Sequence, residues 1–345
     1  MPAYEVTIGI PVYNVEKYIR IAMDSALSQT FESIEFLICD DCGKDSSMDI
    51  IREYQKTHPR GKDIRIVRQP QNMGIGEARN RIVKEARGRY LYFLDGDDTI
   101  ISNAIQLLYD ASQSYNSQVV YGSHRRIEFL DGKEKETLYQ YSAMQFSKKD
   151  EFASWVYRCY DGIQATTWNI LIDLAFLRSC NLHFEPISYW EDFAFMMLFP
   201  VYVSRAVLLP DITYSYYCRN HSLSNFQSRS QIKKSEIEMT CQAINNVKMQ
   251  LYGFCDKCYY PRLFNKIVMT NFYIACAVLR NKDIIIPSFS NREIHSLLQF
   301  PFSFMQYIKS VGKICSNLFF IILSKFPSRI AVFIIKLLGK YGGLI

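Results

Sequence analysis

The chain has 345 residues, 49% of them hydrophobic, with 40 Lys and Arg against 34 Asp and Glu for a formal net charge of +6. That much apolar material suits one large α/β domain or two smaller ones and excludes a disordered chain. The excess charge is local: from Pro301 onward the chain carries Lys309, Lys313, Lys325, Arg329, Lys336 and Lys340 with no acidic residue, while the remainder balances, which excludes an evenly basic nucleic-acid binder.

Met1-Pro-Ala-Tyr-Glu-Val-Thr leads straight into a strand, without the basic and apolar stretches of a signal peptide, so a cytoplasmic chain is expected. The ten cysteines are scattered. Neither Cys39-x-x-Cys42 nor Cys255-x-x-Cys258 has a metal-ligand partner set, and reduced thiols are expected.

Val6–Ile10 reads as a strand ending at Pro11-Val-Tyr13-Asn14, with Asn14 as N-cap of a helix that runs to Gln29. Ile34–Ile38 is the second strand, delivering Asp40-Asp41-Cys42-Gly43-Lys44-Asp45-Ser46-Ser47 before a helix with Met48, Ile51 and Tyr54 on its apolar face. Ile64–Val67 is the third. After Asn72-Met-Gly74-Ile-Gly76 a helix carries Ala78, Ile82, Val83 and Ala86 and stops at Gly88. Tyr90-Leu-Tyr-Phe-Leu is a strand buried on both faces that ends at Asp95-Gly-Asp97-Asp98, whose bland reading is an acidic turn with Asp98 or Thr99 capping the next helix.

A helix (Asn103–Tyr115) and a strand (Gln118–Tyr121) follow. Ile127–Leu130 and Thr137–Tyr141 read as a hairpin turning at Asp131-Gly132. Tyr189-Trp190-Glu191-Asp192 opens an apolar helix, Phe193–Phe199, that ends before Pro200. Val201–Leu209 and Ile212–Arg219 are β-like, and Asn220–Asn225 is a polar loop. From Ser230 the pattern turns helical, with Ile237, Ala243, Ile244 and Val247 on one face and a second helix near Pro261–Leu279.

Strands and helices alternating at these intervals predict β-α-β units and a mainly parallel sheet, with Pro11–Asn14, Asp40–Ser47 and Asp95–Asp98 on one rim beyond the strand ends. Three carboxylates within four positions call for a cation, and oxygen ligands of this kind suit Mg²⁺ or Mn²⁺. Gly74-x-Gly76-x-x-Arg79 follows the third strand and lacks a third glycine, so it is not read as a dinucleotide fingerprint. Pro11 and Tyr13 offer a surface for a flat base, and Asp41 an acceptor for a base N–H.

The ordered set Pro11-Val-Tyr-Asn, Ser28-Gln-Thr, Asp40-Asp-x-x-x-Asp45-x-Ser47, Asn72-x-Gly74-x-x-x-Ala78-Arg-Asn80 and Asp95-x-Asp97-Asp resembles family 2 glycosyltransferases, over roughly Val6 to Asn225. Cys42-Gly43 departs from the family's usual Gly-Ser. The resemblance implies a GT-A-type, Rossmann-like α/β fold, a mixed and mainly parallel sheet flanked by helices, with a C-terminal helical extension. Domains are expected at 1–229 (catalytic, with a nucleotide-sugar half at 1–122 and an acceptor half at 123–229), 230–300 (helical) and 301–345 (basic amphipathic helices).

By the same resemblance, Pro11, Tyr13, Asp41 and Arg79 line the nucleotide site together with Asp95 and Gly96. Asp95 and Asp97 are the Asp-x-Asp pair on ribose and metal, with Asp98 as an adjoining ligand and His221 as a further ligand or phosphate contact. Glu191 and Asp192 are the late acidic pair, with Asp192 as base. The implied reaction is metal-dependent, inverting transfer of a sugar from a nucleoside diphosphate, UDP, to a glycan or lipid-linked acceptor in cell-surface polysaccharide synthesis. A sugar-phosphate nucleotidyltransferase, or a non-catalytic sugar-binding module, stays open beside it.

In the tail, Leu318–Leu323 and Ile330–Ile335 are each shorter than the roughly 18–20 residues a spanning helix needs. They are expected to lie on the inner face of the cell membrane with lysines toward anionic headgroups, or to pack on the chain's own body or a partner subunit. No nucleic-acid partner is expected, and a homo-oligomer stays open.

Overall fold

A computed structural model describes residues 2–130, 133–158, 163–187, 190–219, 230–298, 308–309 and 315–345. The chain divides into two compact units, Met1–Phe152 with Gln164–Leu223, and Ala153–Ile163 with Ser224–Ile345.

The first unit holds one mixed sheet. Its strands are β1 (Tyr4–Val12), β2 (Ile34–Asp40), β3 (Ile64–Arg68), β4 (Gly88–Phe93), β5 (Thr99–Ile100), β6 (Val119–Leu130), β7 (Lys133–Tyr139), β8 (Met144–Phe146), β9 (Ile170–Asp173) and β10 (Ala206–Cys218). They are ordered β3-β2-β1-β4-β9-β6-β10-β5, with β7 beside β6 and β8 beside β10. The first four are parallel. β9 then runs antiparallel between β4 and β6 and makes the sheet mixed.

Helices α1 (Ile19–Leu27), α2 (Ser47–Thr57), α3 (Ile75–Glu85), α4 (Ala104–Tyr115), α5 (Glu151–Arg158, of which Ala153 onward belongs to the second unit), α6 (Leu174–Ser179) and α7 (Glu191–Tyr202) fill the connections. Ile8, Ile10, Phe36, Ile38 and Tyr92 on the strands form one core with Met23 of α1, Ile51 of α2 and Ile105 of α4. Parallel strands buried on both faces read as continuous apolar runs, which is why β1, β2 and β4 are visible in the sequence. Val12 pairs with Asp40 and Gly9 with Phe93, so the loops leaving β1, β2 and β4 emerge at one rim.

Four local expectations are corrected. Asn14 does not cap α1, which begins only at Ile19; it takes a left-handed φ of 52°, and its Oδ1 accepts from the Lys44 amide at 2.7 Å. Neither Asp98 nor Thr99 caps α4, because Thr99 enters β5 and Asn103 precedes the helix. The two β-like stretches after Pro200 are one strand, β10, which begins only at Ala206 because Val201 and Tyr202 belong to α7, and whose register shifts between Leu208 and Tyr214 where Pro210 can donate no ladder hydrogen bond. Finally, α7 does not stop before Pro200. It continues to Tyr202, with nearly every residue from Ala194 to Val201 buried, so packing outweighs a helix hydrogen bond lost in the last turn. β6 is continuous from Val119 and pairs with β7 from His124–Tyr139 to Leu130–Lys133, while the turn read at Asp131-Gly132 lies outside the described residues.

The second unit is largely helical: α8 (Lys234–Gln250), α9 (Tyr260–Arg280), α10 (Asn291–Ser296), α11 (Cys315–Leu323) and α12 (Ser328–Tyr341), with a two-stranded pair, β11 (Ile232–Lys233) and β12 (Ile285–Ile286). α9 is buried along most of its length, and α8, α10, α11 and α12 pack on it. Gly339 of α12 lies so close to α9 that a Cβ there would stand 3.1 Å from Cys276 Sγ. No helix among the described residues is long and apolar enough to cross a membrane.

Candidate active site

The loops after β1 and β2 are laced together before any ligand enters. The Asp41 amide donates to Val12 O at 3.0 Å, the Val15 amide to Ser47 Oγ at 2.9 Å, and the Glu16 amide to Asp45 Oδ2 at 2.8 Å. Asp45 and Ser47, visible as a motif, are therefore loop staples. Pro11 is buried in β1, and Tyr13 beyond it is 43% exposed, an open ring at the rim.

Asp41 is buried, and both its oxygens already accept backbone amides, Met73 at 2.8 Å and Gly74 at 3.0 Å. Gly74 reaches that position with a φ of 88°, which favours glycine. The carboxylate that the sequence suggests for a base N–H thus also clamps the loop entering α3. Burial raises its pKa above the usual carboxylate value. Gly96 fits where a Cβ would stand 3.2 Å from Val15 Cγ2, so its place in the acidic turn is set by close packing on the β1–α1 loop.

The centre of the site is Arg79. Its side chain is 1% exposed, with Nη1 donating to Glu191 Oε1 at 2.7 Å and Asp192 Oδ1 at 2.5 Å, and Nη2 to Asp95 Oδ1 at 3.0 Å. Its terminal nitrogens, expected beside the nucleotide, are turned onto carboxylates that follow β4 and open α7. The Phe184 ring centroid lies 5.8 Å from its guanidinium carbon. Asn80 holds that ring in place, exchanging two hydrogen bonds with the Phe184 backbone, each at 2.9 Å. The adjacent Arg79 and Asn80 of the sequence motif therefore build one structure.

Asp192 Oδ1 also accepts from Thr167 Oγ1 at 2.9 Å, whereas no donor among the described residues reaches Oδ2. One guanidinium serves three carboxylates. Burial outweighs the attraction of Arg79, and with Glu191 and Asp95 alongside the Asp192 carboxyl is pushed up to about 7.

The three aspartates of the acidic turn have separate environments. Asp98 is buried, accepting from Tyr214 Oη at 2.8 Å and the Tyr217 amide at 2.9 Å, so it fastens the turn to β10 and the expected ligand role does not fit it. Burial and its acidic neighbours raise its pKa well above the usual range. The Asp97 carbonyl accepts from Arg219 Nη2 at 2.9 Å, but no side chain among the described residues donates to the Asp97 carboxylate. Burial first, and then Asp95, push that carboxyl up to about 6.

A carboxylate so placed fits a divalent cation that completes its shell with substrate phosphate oxygens. It does not fit a closed all-protein cage, since no group of three His, Cys, Asp or Glu side chains among the described residues is arranged to hold a metal. His221 lies outside the described residues.

Thr167, Tyr214 and Arg219 carry no sequence signal, because each reaches the site through strand order. Asn80 did, as part of its motif.

A mixed sheet with a parallel nucleotide-binding-type half, and an acidic rim facing a second acidic pair, defines an A-type glycosyltransferase fold. Residues 7–172, just under half of the chain, match the family model "Glycosyl transferase family 2". It is 39% identical over 124 residues to an Escherichia coli chondroitin synthase, covering 36% of this chain but only 18% of that protein. It is 23% identical over 262 residues to a cholesterol galactosyltransferase of Borreliella burgdorferi, covering 74% of this chain and 71% of that one. The structure of S. aureus TarS 1–349 in complex with UDP-GlcNAc superposes with a TM-score of 0.57 at 17% identity, covering 91% of this chain and 89% of that chain, a likeness of fold.

Proposed function

We propose that the chain transfers a sugar from a nucleoside diphosphate donor, UDP-linked, to a glycan or lipid-linked acceptor with inversion at the anomeric carbon. One observation carries the reading: Arg79 ties Asp95, at the end of β4, to Asp192, at the start of α7, in a single buried cluster. This supports reading the donor-side and acceptor-side carboxylates as parts of one site.

Asp192 is the proposed base. Its free Oδ2 takes the proton of the attacking hydroxyl, while Arg79 and Thr167 fix Oδ1 and hold the carboxylate's orientation. A carboxyl poised near neutrality both ionises at working pH and accepts a proton readily. One base and one displacement invert the centre. Glu191 shares the Arg79 charge and is a positioning residue.

Tyr13, two residues after Pro11, offers an aromatic face to the base, and Asp41 fixes the adjoining loop. Asp97, with Asp95 beside it, would hold a Mn²⁺ or Mg²⁺ ion together with the diphosphate. When bound, that ion neutralises charge on the leaving phosphate.

Of the relatives named above, the chondroitin synthase supports a glycan acceptor and the cholesterol galactosyltransferase a lipid one, and the basic tail supports work at the inner face of the cell membrane. A panel of nucleotide sugars assayed for release of nucleoside diphosphate, with Asp192→Asn as control, tests the reading. Release from one donor by the wild type and none by the control is expected. Equal release by both would overturn the base assignment.

A further inference from the structure

Ala331, Val332, Ile335 and Gly339 of α12 are buried, facing α9 and α10. Turned outward are Ile330, Phe333 and Leu337, which are 50%, 66% and 59% exposed. Their spacing of three and four residues makes one stripe. Arg329, Lys336 and Lys340, all exposed, form a second stripe directly beside it, since each lies one residue before an apolar member or three after one. α11 likewise turns Leu318, Phe319 and Ile322 outward, and the turn between the helices exposes Lys325 and Phe326.

Side chains of this size, exposed in a contiguous row on a folded helix, mark a contact surface. Its charge identifies the kind of partner. Residues 301–345 hold six basic and no acidic residues. A second copy meeting this face through a two-fold axis would set Lys336 and Lys340 against their own counterparts, which is repulsive. A surface of lipid phosphates has the complementary sign everywhere, and apolar chains just below it. α12 has 14 residues, far below a spanning length, and its inner face is committed to the protein core.

We infer that the outward face of α12, with that of α11, seats on an anionic bilayer. Ile330, Phe333 and Leu337 enter the boundary between headgroups and acyl chains, and Arg329, Lys336 and Lys340 stay at the phosphates. This gives the membrane partner of the proposed transferase its surface, and it rests on that reading only for the use of a lipid-linked acceptor.

Removing the tail is a poor test, because Val332 and Ile335 are core residues. Point substitutions on the outward face of the full chain leave that core intact. The probe is co-sedimentation with phosphatidylcholine vesicles, with and without phosphatidylglycerol. The wild type is expected to pellet with the anionic vesicles, less so as salt rises. Phe333→Asp with Leu337→Asp should lower partitioning by about tenfold or more, and Lys336→Glu with Lys340→Glu should do so for anionic vesicles alone.

Hydrolysis of the nucleotide-sugar donor in solution should be the same in all three proteins, so a dead catalytic site and a dead membrane surface are read separately. No vesicle binding by the wild type, or binding of anionic vesicles by both double variants equal to that of the wild type, would overturn the inference. So would a dimer in solution that the Phe333→Asp, Leu337→Asp variant loses.

Discussion

Arg79 and Asp192 meet at 2.5 Å across 113 residues of sequence, and the nitrogen that joins them also holds Glu191 at 2.7 Å. The guanidinium is buried, and every acid it touches is at least partly so. Removing it strands three negative charges around a vacated space. Arg79→Ala should therefore destabilise the first unit by about 3–5 kcal/mol, the range found when one partner of a buried ion pair is deleted. Urea unfolding followed by intrinsic fluorescence measures it. A loss under about 1 kcal/mol would mean that the cluster is solvated and the convergence on Arg79 is energetically empty.

Asp192→Asn should leave nucleotide affinity within a few-fold and reduce transfer by about 10²–10⁴-fold, the usual contribution of a positioned general base. The pH dependence has a defined sign. The base is competent only when ionised, and its carboxyl is pushed up to about 7, so kcat/KM should fall as pH drops through neutrality and level off above it. A wild-type profile flat from neutrality down to the ordinary carboxylate range would remove Asp192 from the base role.

Thr167 separates positioning from stability. Its hydroxyl donates to Asp192 Oδ1, a bond that favours the ionised form. Thr167→Val should move the acid limb of kcat/KM upward by about one to two pH units, since a hydrogen bond to a charged group is worth roughly 1.5–3 kcal/mol. The plateau rate at high pH should change little. A lower plateau with an unmoved limb would instead indicate a structural role.

What the sequence discloses and what it hides divide along contact distance. The acidic turn Asp95–Asp98 is legible because it ends a strand whose burial shows as an unbroken apolar run. Glu191-Asp192 is legible because it begins an apolar helix. The partners of these groups are not: Tyr214 reaches Asp98 from 116 residues away, and Arg219 reaches the Asp97 carbonyl from 122. Those pairings follow from the position of β10 beside β6 and β5, which no local periodicity encodes. Arg79 shows the same gap, since its motif marks it as functional while only the fold reveals that it faces acids.

Tyr214 offers a test of the acidic turn as a structural joint. Its Oη donates to buried Asp98 at 2.8 Å and accepts from the Asp95 amide at 3.3 Å, while its ring stacks on Trp168 with centroids 4.4 Å apart. Tyr214→Phe keeps the stack and deletes only the hydroxyl. Leaving a buried carboxyl short of a donor costs about 1–3 kcal/mol, so thermal unfolding should shift down accordingly. An unchanged melting temperature would show that Asp98 finds another donor.

Asp97 is the aspartate of the turn left free for a ligand. Asp98 is bound to Tyr214 and Tyr217, and Asp95 to Arg79, but no side chain among the described residues donates to the Asp97 carboxylate. If that carboxylate meets the donor through a divalent cation, Asp97→Asn should depress transfer by about 10²–10³-fold at fixed Mn²⁺, comparable to losing one electrostatic contact to developing charge. Part of the rate should return as Mn²⁺ is raised, because weakened metal binding is a mass-action defect. Stability should be equal to or slightly above that of the wild type, since Asn removes a carboxyl that burial and Asp95 disfavour. Titrating Mn²⁺ against product release in both proteins, with EDTA as the zero point, distinguishes the cases. Identical metal dependence in the two would place the cation, if the reaction uses one, away from Asp97.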